Sequence, residues 1–205
     1  MMVFVEAEDL YRDTIPVPRA TRFPVELRPP AGFRLDDPHT WPSVEGSLEY
    51  VGGRLLYMPP SGDVQQDVST AVAGLLDRWL DQHPEFVVGT NEAGMLLGDE
   101  VRAADAAVWL RNSLGQHTGG YRTVPPLLAV EIAGSGQAEE ELREKARWYL
   151  RHGVAVVWIV LPEQREVVVI TAQQQERHTG GQALAAHPSL PDLTPDVDTF
   201  FRHLR

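Results

Sequence analysis

Two acids and a lysine in the second half of the chain, Asp105, Glu131 and Lys145, have side chains that suit metal-assisted chemistry on a phosphate ester. Glu131 interrupts a run of Leu, Ala, Val and Ile that is typical of a strand buried on both faces. A carboxylate there must be paired, protonated or bound to a cation, because burying it bare is costly. Asp105 lies in another predicted strand between pairs of alanines, which leave space around its carboxylate.

These residue types together define a reaction chemistry. Two carboxylates on adjacent strands can hold Mg²⁺ with hard oxygen ligands and leave water in its open positions. The ion lowers the pKa of one water and stabilises charge on a phosphate, while a lysine orients that water or neutralises the developing charge. Each residue also has a structural interpretation: Glu131 paired with an arginine, Asp105 bonded to backbone at a bulge, and Lys145 covering apolar surface with its stem.

Lys145 is the only lysine among the 18 Lys and Arg residues of the chain. It lies on the predicted helix that follows the Glu131 strand, three residues after Leu142 and four before Tyr149. This spacing turns Lys145 toward the apolar face of the helix. Because an ammonium and a guanidinium are not interchangeable where a point charge is needed, the position favours a functional role.

Hydrophobic periodicity predicts the elements that would position these side chains. Paired glycines, Gly52 and Gly53, predict a hairpin over residues 47–58 that carries Glu49. For Glu49 alone, a solvated strand acid is the simpler interpretation. The other predicted elements are a helix over 63–83 ended by Pro84, strands over 86–90, 94–97 and 101–110, a hairpin turning at 163–165, and a helix over 194–204 capped by Thr194.

The composition excludes several classes of protein. The chain of 205 residues has no cysteine, which excludes disulfides and thiolate metal sites. Its seven histidines form no helical i,i+4 pair. The net charge of −11 argues against general nucleic-acid binding, so contact with a polyanion would be local and helped by cations. With no signal peptide and no membrane span, we expect a soluble, cytoplasmic protein, with an irregular proline-rich arm over 1–40 and one domain over 41–205.

Four segments resemble the Uma-type family of restriction endonucleases, within the PD-(D/E)XK nuclease superfamily. They are LEYVGGRLLYMPPSG, VRAADAAVWL, LLAVEIAGSG and REKARWYLRHGVAVVWIVLP, and the resemblance covers residues 47–201. It implies an α/β (α+β) fold, with a mixed central sheet flanked by helices and an N-terminal hairpin. It also implies a homodimer, a Mg²⁺ or Mn²⁺ cofactor and a DNA substrate.

By this resemblance, the catalytic residues are Asp105, Glu131, Lys145 and Glu49, and the metal ligands are Asp105 and Glu131. The sequence departs from the family pattern at several positions. Gln65 stands where the family has a histidine near the start of the long helix. The other departures are Ala104 for the proline before the first acid, residues 134–136 for Ser-Pro, and Leu161 for an aspartate.

The sequence therefore predicts a metal-dependent endonuclease that hydrolyses DNA phosphodiester bonds. Two alternatives stay open at this point. One is a catalytically inactive scaffold or regulatory binding protein that retains the nuclease fold, which the acidic composition and Gln65 favour. The other is a phosphodiesterase that acts on RNA or on a small molecule with the same residues.

Overall fold

The computed structural model describes residues 21–204, and the first half of the predicted N-terminal arm, residues 1–20, lies outside the described residues. The described chain forms nine strands and three α-helices. They are β1 Val25–Leu27, β2 Ser47–Val51, β3 Arg54–Met58, α1 Asp63–Leu80, β4 Phe86–Leu97, β5 Glu100–Leu110, β6 Leu128–Ile132, α2 Glu139–Arg151, β7 Val156–Leu161, β8 Glu166–Ile170, β9 Gln175–His178 and α3 Val197–Phe200.

All nine strands belong to one mixed sheet, in the order β1-β3-β2-β5-β6-β7-β8-β9, with β4 paired to β5. Strands β6 and β7 are parallel and are connected through α2, whereas the other neighbours are antiparallel. The sheet has helices on both faces, because α1 and α2 contribute to two different hydrophobic clusters. This architecture confirms the predicted mixed sheet, flanking helices and N-terminal hairpin.

The two clusters divide the side chains of the central strands. Val130 and Ile132 of β6 pack with the buried face of α1, whereas Ala129 packs with the inward face of α2. Since side chains alternate along a strand, Glu131 shares the α2 face with Ala129. Every residue of β6 is buried, as the apolar run predicts. The acid is therefore placed beneath α2, the helix that carries Lys145.

Element boundaries differ from the sequence prediction in three places. Helix α1 ends at Leu80, because the next amides bond three residues back and tighten the chain into a turn. The strands predicted over 86–90 and 94–97 are one strand, β4, interrupted by a bulge. The prediction of a helix capped by Thr194 is wrong: Asp196 pairs with Ala183 and keeps the chain extended, so α3 begins at Val197.

The described part of the predicted arm contributes a strand to the sheet. Strand β1 pairs with β3, from Val25 opposite Tyr57 to Leu27 opposite Leu55. Three residues are too few to show a period, which is why the sequence gives no sign of this strand. The boundary near residue 40 stays a prediction. Within residues 21–204, no helix combines the length and the apolar character that crossing a bilayer requires.

Candidate active site

The site lies at a gap in the sheet, along one edge of β5. Strand β4 pairs with both Val101 and Ala106 of β5, so it occupies one edge of β5 at both positions. Strand β2 also pairs with Val101, and β6 pairs with Ala106, so both must lie along the other edge. Residues 102–105 span the interval between β2 and β6. Their backbone groups on that edge therefore need partners other than a strand.

Side chains supply those partners at Ala103. The Ala103 N–H donates to Glu49 Oε1 at 3.1 Å, and Lys145 Nζ donates to the Ala103 carbonyl at 2.7 Å. Glu49 comes from β2 and Lys145 from α2. The acid and the lysine thus complete the edge of β5 where the strand pairing stops.

Lys145 makes three close contacts with oxygen atoms. Besides the Ala103 carbonyl, Nζ lies 2.7 Å from Glu49 Oε1 and 2.9 Å from Glu131 Oε2. An ammonium has three donors, so all of them are used. Burial alone would lower the pKa of Lys145, but the Glu131 and Glu49 carboxylates raise it above its ordinary value. The lysine therefore stays positively charged inside the site.

Glu131 is 4% exposed and uses both carboxylate oxygens. Oε2 forms an ion pair with Lys145 Nζ, and Oε1 accepts a hydrogen bond from the Tyr149 hydroxyl at 2.6 Å. Burial raises the pKa of Glu131 to about 7, against the lowering effect of Lys145, while Asp105 and Glu49 raise it further. The side chain is thus poised between its charged and neutral forms near neutral pH.

Asp105 stands beside Glu131. Strands β5 and β6 pair from Val108 opposite Leu128 to Ala106 opposite Val130, and Asp105 and Glu131 are the next residues beyond this last pair. The Asp105 carboxylate accepts the Ile132 N–H at 2.7 Å through Oδ2. Burial raises the pKa of Asp105, and this hydrogen bond partly opposes the increase. The two carboxylates are therefore close neighbours at the point where β5 and β6 separate.

A bulge in β4 lies opposite Asp105. The register shifts between Thr90 and Ala93, and Asn91 and Glu92 have φ of 57° and 58°. Partial burial raises the pKa of Glu92 despite a hydrogen bond with Ser47, and the nearby Asp105 charge raises it further. Glu92 is thus a fourth carboxylate within electrostatic range of the site. The amino-acid sequence does not predict that Glu92 lies near the site, because the bulge depends on pairing with β5.

The structure brings the four predicted site residues together. Glu49, Glu131 and Lys145 are in direct contact, and Asp105 lies beside Glu131. The ammonium contacts Glu131 and Glu49. The catalytic and metal-binding roles of these residues stay predictions.

Sequence reasoning missed two further participants. The spacing predicts Tyr149 on the apolar face of α2, but its hydroxyl donates to Glu131, and its position four residues after Lys145 is the available signal. Arg102 lies 3.7 Å from Glu49 Oε2, with its guanidinium 5.1 Å from the centre of the Trp148 ring. Arg102 thereby adds a second cation beside Glu49.

Comparisons with known proteins agree with this architecture. A family model with the description "Putative restriction endonuclease", Uma2, matches residues 35–198. The crystal structure of a "putative nuclease belonging to DUF820" from Anabaena variabilis superimposes with a TM-score of 0.72 at 19% identity. The match covers 82% of this chain and 96% of that one, and it shows a shared fold. A comparison with curated protein sequences gave no match. The resemblance in the four sequence segments is confirmed, and the chain belongs to the Uma2 family.

Proposed function

We propose that this protein is a metal-dependent endonuclease that hydrolyses DNA phosphodiester bonds at the site around Asp105, Glu131 and Lys145. Membership in the Uma2 family supports a nuclease. One observation carries the assignment of the site. Asp105 and Glu131 follow the last paired residues of β5 and β6, the Asp105 charge acts on Glu131, and the Lys145 ammonium contacts Glu131 at 2.9 Å.

The donor set fits a hard divalent cation such as Mg²⁺ or Mn²⁺. Asp105 and Glu131 are adjacent, and burial together with the Asp105 charge raises the pKa of Glu131 to about 7. A cation would offset this cost of keeping both groups charged. Among residues 21–204, no three His, Cys, Asp or Glu side chains form a metal-binding group. Mg²⁺ is usually held by one or two carboxylates together with waters and substrate phosphate, and Asp105 and Glu131 would be those carboxylates.

When bound, the ion would activate a water and stabilise charge on the phosphate. The protein's own residues supply the rest. Lys145 holds a fixed positive charge beside Glu131, because Glu49 and the Ala103 carbonyl restrain its ammonium. Such a prearranged charge stabilises the negative charge that develops during attack on a phosphodiester. Tyr149 donates to Glu131 Oε1 and so fixes the orientation of that carboxylate.

DNA would have to approach an acidic protein. The net charge of −11 disfavours a broad electrostatic footprint, so we expect contact to be confined to the site and to depend on the ion. We also propose the homodimer that the family resemblance implies. The cytoplasmic location stays a prediction from composition.

Cleavage of supercoiled plasmid with Mg²⁺ or Mn²⁺ tests this proposal. We expect the wild type to cut, and Asp105→Ala and Glu131→Ala each to abolish both cutting and divalent-ion binding. Glu163→Ala, which removes an exposed acid in the turn between β7 and β8, serves as the matched control and should cut normally. Cleavage that persists in the purified Asp105→Ala/Glu131→Ala double variant would refute the assignment.

The same preparation separates the alternatives. A calorimetric titration of Mn²⁺ that shows no heat dependent on Glu131 would favour an inactive scaffold. A panel of duplex DNA, single-stranded DNA and RNA would show whether DNA is the substrate. Cutting restricted to RNA would replace the DNA assignment and leave the site assignment intact.

A further inference from the structure

Gln65 is a polar side chain at the site to which the proposed mechanism gives no role. It lies in the first turn of α1, which packs on the opposite face of the sheet from α2. Its amide nitrogen lies 3.4 Å from Asp105 Oδ1 and 3.2 Å from the Ile132 carbonyl oxygen. The head of Gln65 therefore reaches one acceptor on each of the two strands that separate at the site.

Neither α1 nor Asp105 needs this contact to be held in place. The helix is anchored by Val68, Val72 and Leu76, which are fully buried. Asp105 already accepts the Ile132 N–H at 2.7 Å through its other oxygen. The Gln65 amide is thus an additional group, directed at Asp105 Oδ1 and the Ile132 carbonyl oxygen.

The two separations are longer than those of typical hydrogen bonds. An N–H···O bond usually measures about 2.9–3.0 Å between heavy atoms. Two neighbouring oxygen ligands of an octahedral ion with bonds of about 2.1 Å lie roughly 3 Å apart, and somewhat farther apart for a larger ion. The separations of 3.2 and 3.4 Å lie at the long end of hydrogen-bond distances and are also close to the spacing of neighbouring ligands of one cation.

A half-turn of the Gln65 amide replaces the hydrogen-bond donor that faces the two oxygen atoms with an oxygen atom. Without an ion, the NH₂ group suits two oxygen acceptors. After rotation about the last torsion angle, the amide oxygen would take the same position, and an amide oxygen is a hard, neutral ligand. Gly134 lies against Gln65 Oε1 and has no side chain there, since a Cβ atom built on it would already touch that oxygen at 3.4 Å.

We propose that Gln65 binds the catalytic divalent ion through its side-chain oxygen, beside Asp105 and the Ile132 carbonyl, and that the amide turns over when the ion enters. This inference rests on the proposed function, because it assigns a ligand to that ion. It also gives a role to the position at which this chain lacks the family's histidine. Glutamine supplies one neutral oxygen from α1, so the helix takes part in closing the site around the ion.

The test is a Mn²⁺ titration of the full chain at pH 8, followed by the electron paramagnetic resonance signal of the free ion. We expect Gln65→Ala to weaken binding by about tenfold or more, as loss of groups that support a bound metal typically does. Gln65→Glu should bind more tightly than the wild type, because it places a charged oxygen in the same position. Gln66→Ala is the matched control: Gln66 is exposed, follows in the same turn, and its side chain donates to the Ser61 carbonyl.

The possible outcomes separate this inference from the proposed function. Wild-type binding that depends on Asp105 but is unchanged or tighter in Gln65→Ala would overturn the Gln65 role alone. If the wild type binds no Mn²⁺, both proposals fail. Thermal unfolding provides a second readout, since the ion should raise the melting temperature of the wild type and of Gln66→Ala more than that of Gln65→Ala.

Discussion

Helix α2 takes part in two clusters of paired charges that have different surroundings. The Lys145 cluster comprises Lys145, Glu131 and Glu49, and its Lys145 and Glu131 side chains are 17% and 5% exposed. The Arg177 cluster comprises Arg177, Glu139, Arg143 and Glu166, and its Arg177 and Glu139 side chains are 39% and 30% exposed. In both clusters, a cation from one element contacts acids from others at hydrogen-bond distance.

Burial gives the two clusters opposite electrostatic properties. In the Arg177 cluster, hydrogen bonds from Arg177 are the main reason that the pKa of Glu139 is lowered. In the Lys145 cluster, burial raises the pKa of Glu131 to about 7 even though Lys145 is in contact. Exposed pairs serve to hold surface elements together, whereas the buried cluster holds charges at a cost that a catalytic ion would offset. The chain uses arginine in the first and its single lysine in the second.

Removing the buried cation should have the largest effect on stability. Lys145→Met leaves Glu131 and Glu49 without their shared ammonium and the Ala103 carbonyl without its donor. We expect the free energy of unfolding at pH 8 to fall by about 3–5 kcal/mol, as is typical when one member of a buried pair is removed. Urea unfolding followed by circular dichroism measures the loss.

A double variant distinguishes electrostatic cost from lost packing. Adding Glu131→Gln to Lys145→Met removes one of the two buried carboxylates that have lost their cation. It should recover a large part of the lost stability. Plasmid cleavage should not recover, because the variant lacks both the proposed metal ligand Glu131 and the Lys145 ammonium. If the double variant is as unstable as Lys145→Met, the loss comes from packing, and the contrast between the two clusters does not hold.

The pH dependence of stability should have opposite signs in the two clusters. Between the ordinary pKa of 4.5 and about 7, folded Glu131 keeps a proton that the unfolded chain has released. Its contribution to stability therefore falls as the pH rises through that window. Glu139, whose pKa is lowered, contributes stability above 4.5 and loses it as the pH falls below that value.

This difference can be measured from the free energy of unfolding between pH 3.5 and 8, at intervals of about half a unit. The wild type is compared with Glu131→Gln and with Glu139→Gln. The wild-type advantage over Glu131→Gln should shrink by about 1–3 kcal/mol between pH 5 and 8, since each pKa unit is worth about 1.4 kcal/mol. The advantage over Glu139→Gln should be constant in that range and shrink only in acid. A wild-type advantage over Glu131→Gln that grows with pH would contradict the raised pKa.

Local patterns were sufficient to predict one side of the site. Glu131 is conspicuous within an apolar strand, and the spacing of Lys145 from Leu142 and Tyr149 places it on the inward face of α2. The Gly52-Gly53 turn likewise predicts the hairpin that carries Glu49. These features depend on residues that are close together in sequence, where periodicity and turn chemistry operate.

The rest of the site depends on strand pairing that no local pattern specifies. The gap arises because β2 and β6 share one edge of β5, and this alone brings Glu49 to Lys145. The bulge at Asn91 and Glu92, and the reach of Gln65 to Asp105, depend on the same register. A side chain's partners across a sheet follow from register, which shifts completely with a slip of one residue.

Disrupting the exposed cluster should have the smallest effect. Arg177→Met removes one of the two cations that contact Glu139, but water can hydrate the half-buried carboxylates that remain. We expect a loss of about 0.2–1 kcal/mol that largely disappears in 1 M NaCl, because exposed pairs are weak and screened by salt. Mn²⁺ affinity should equal that of the wild type, since Glu139 and Glu166, which Arg177 contacts, lie outside the site. A loss as large as that of Lys145→Met, or one insensitive to salt, would show that contact between α2 and β9 supports the fold independently of exposure.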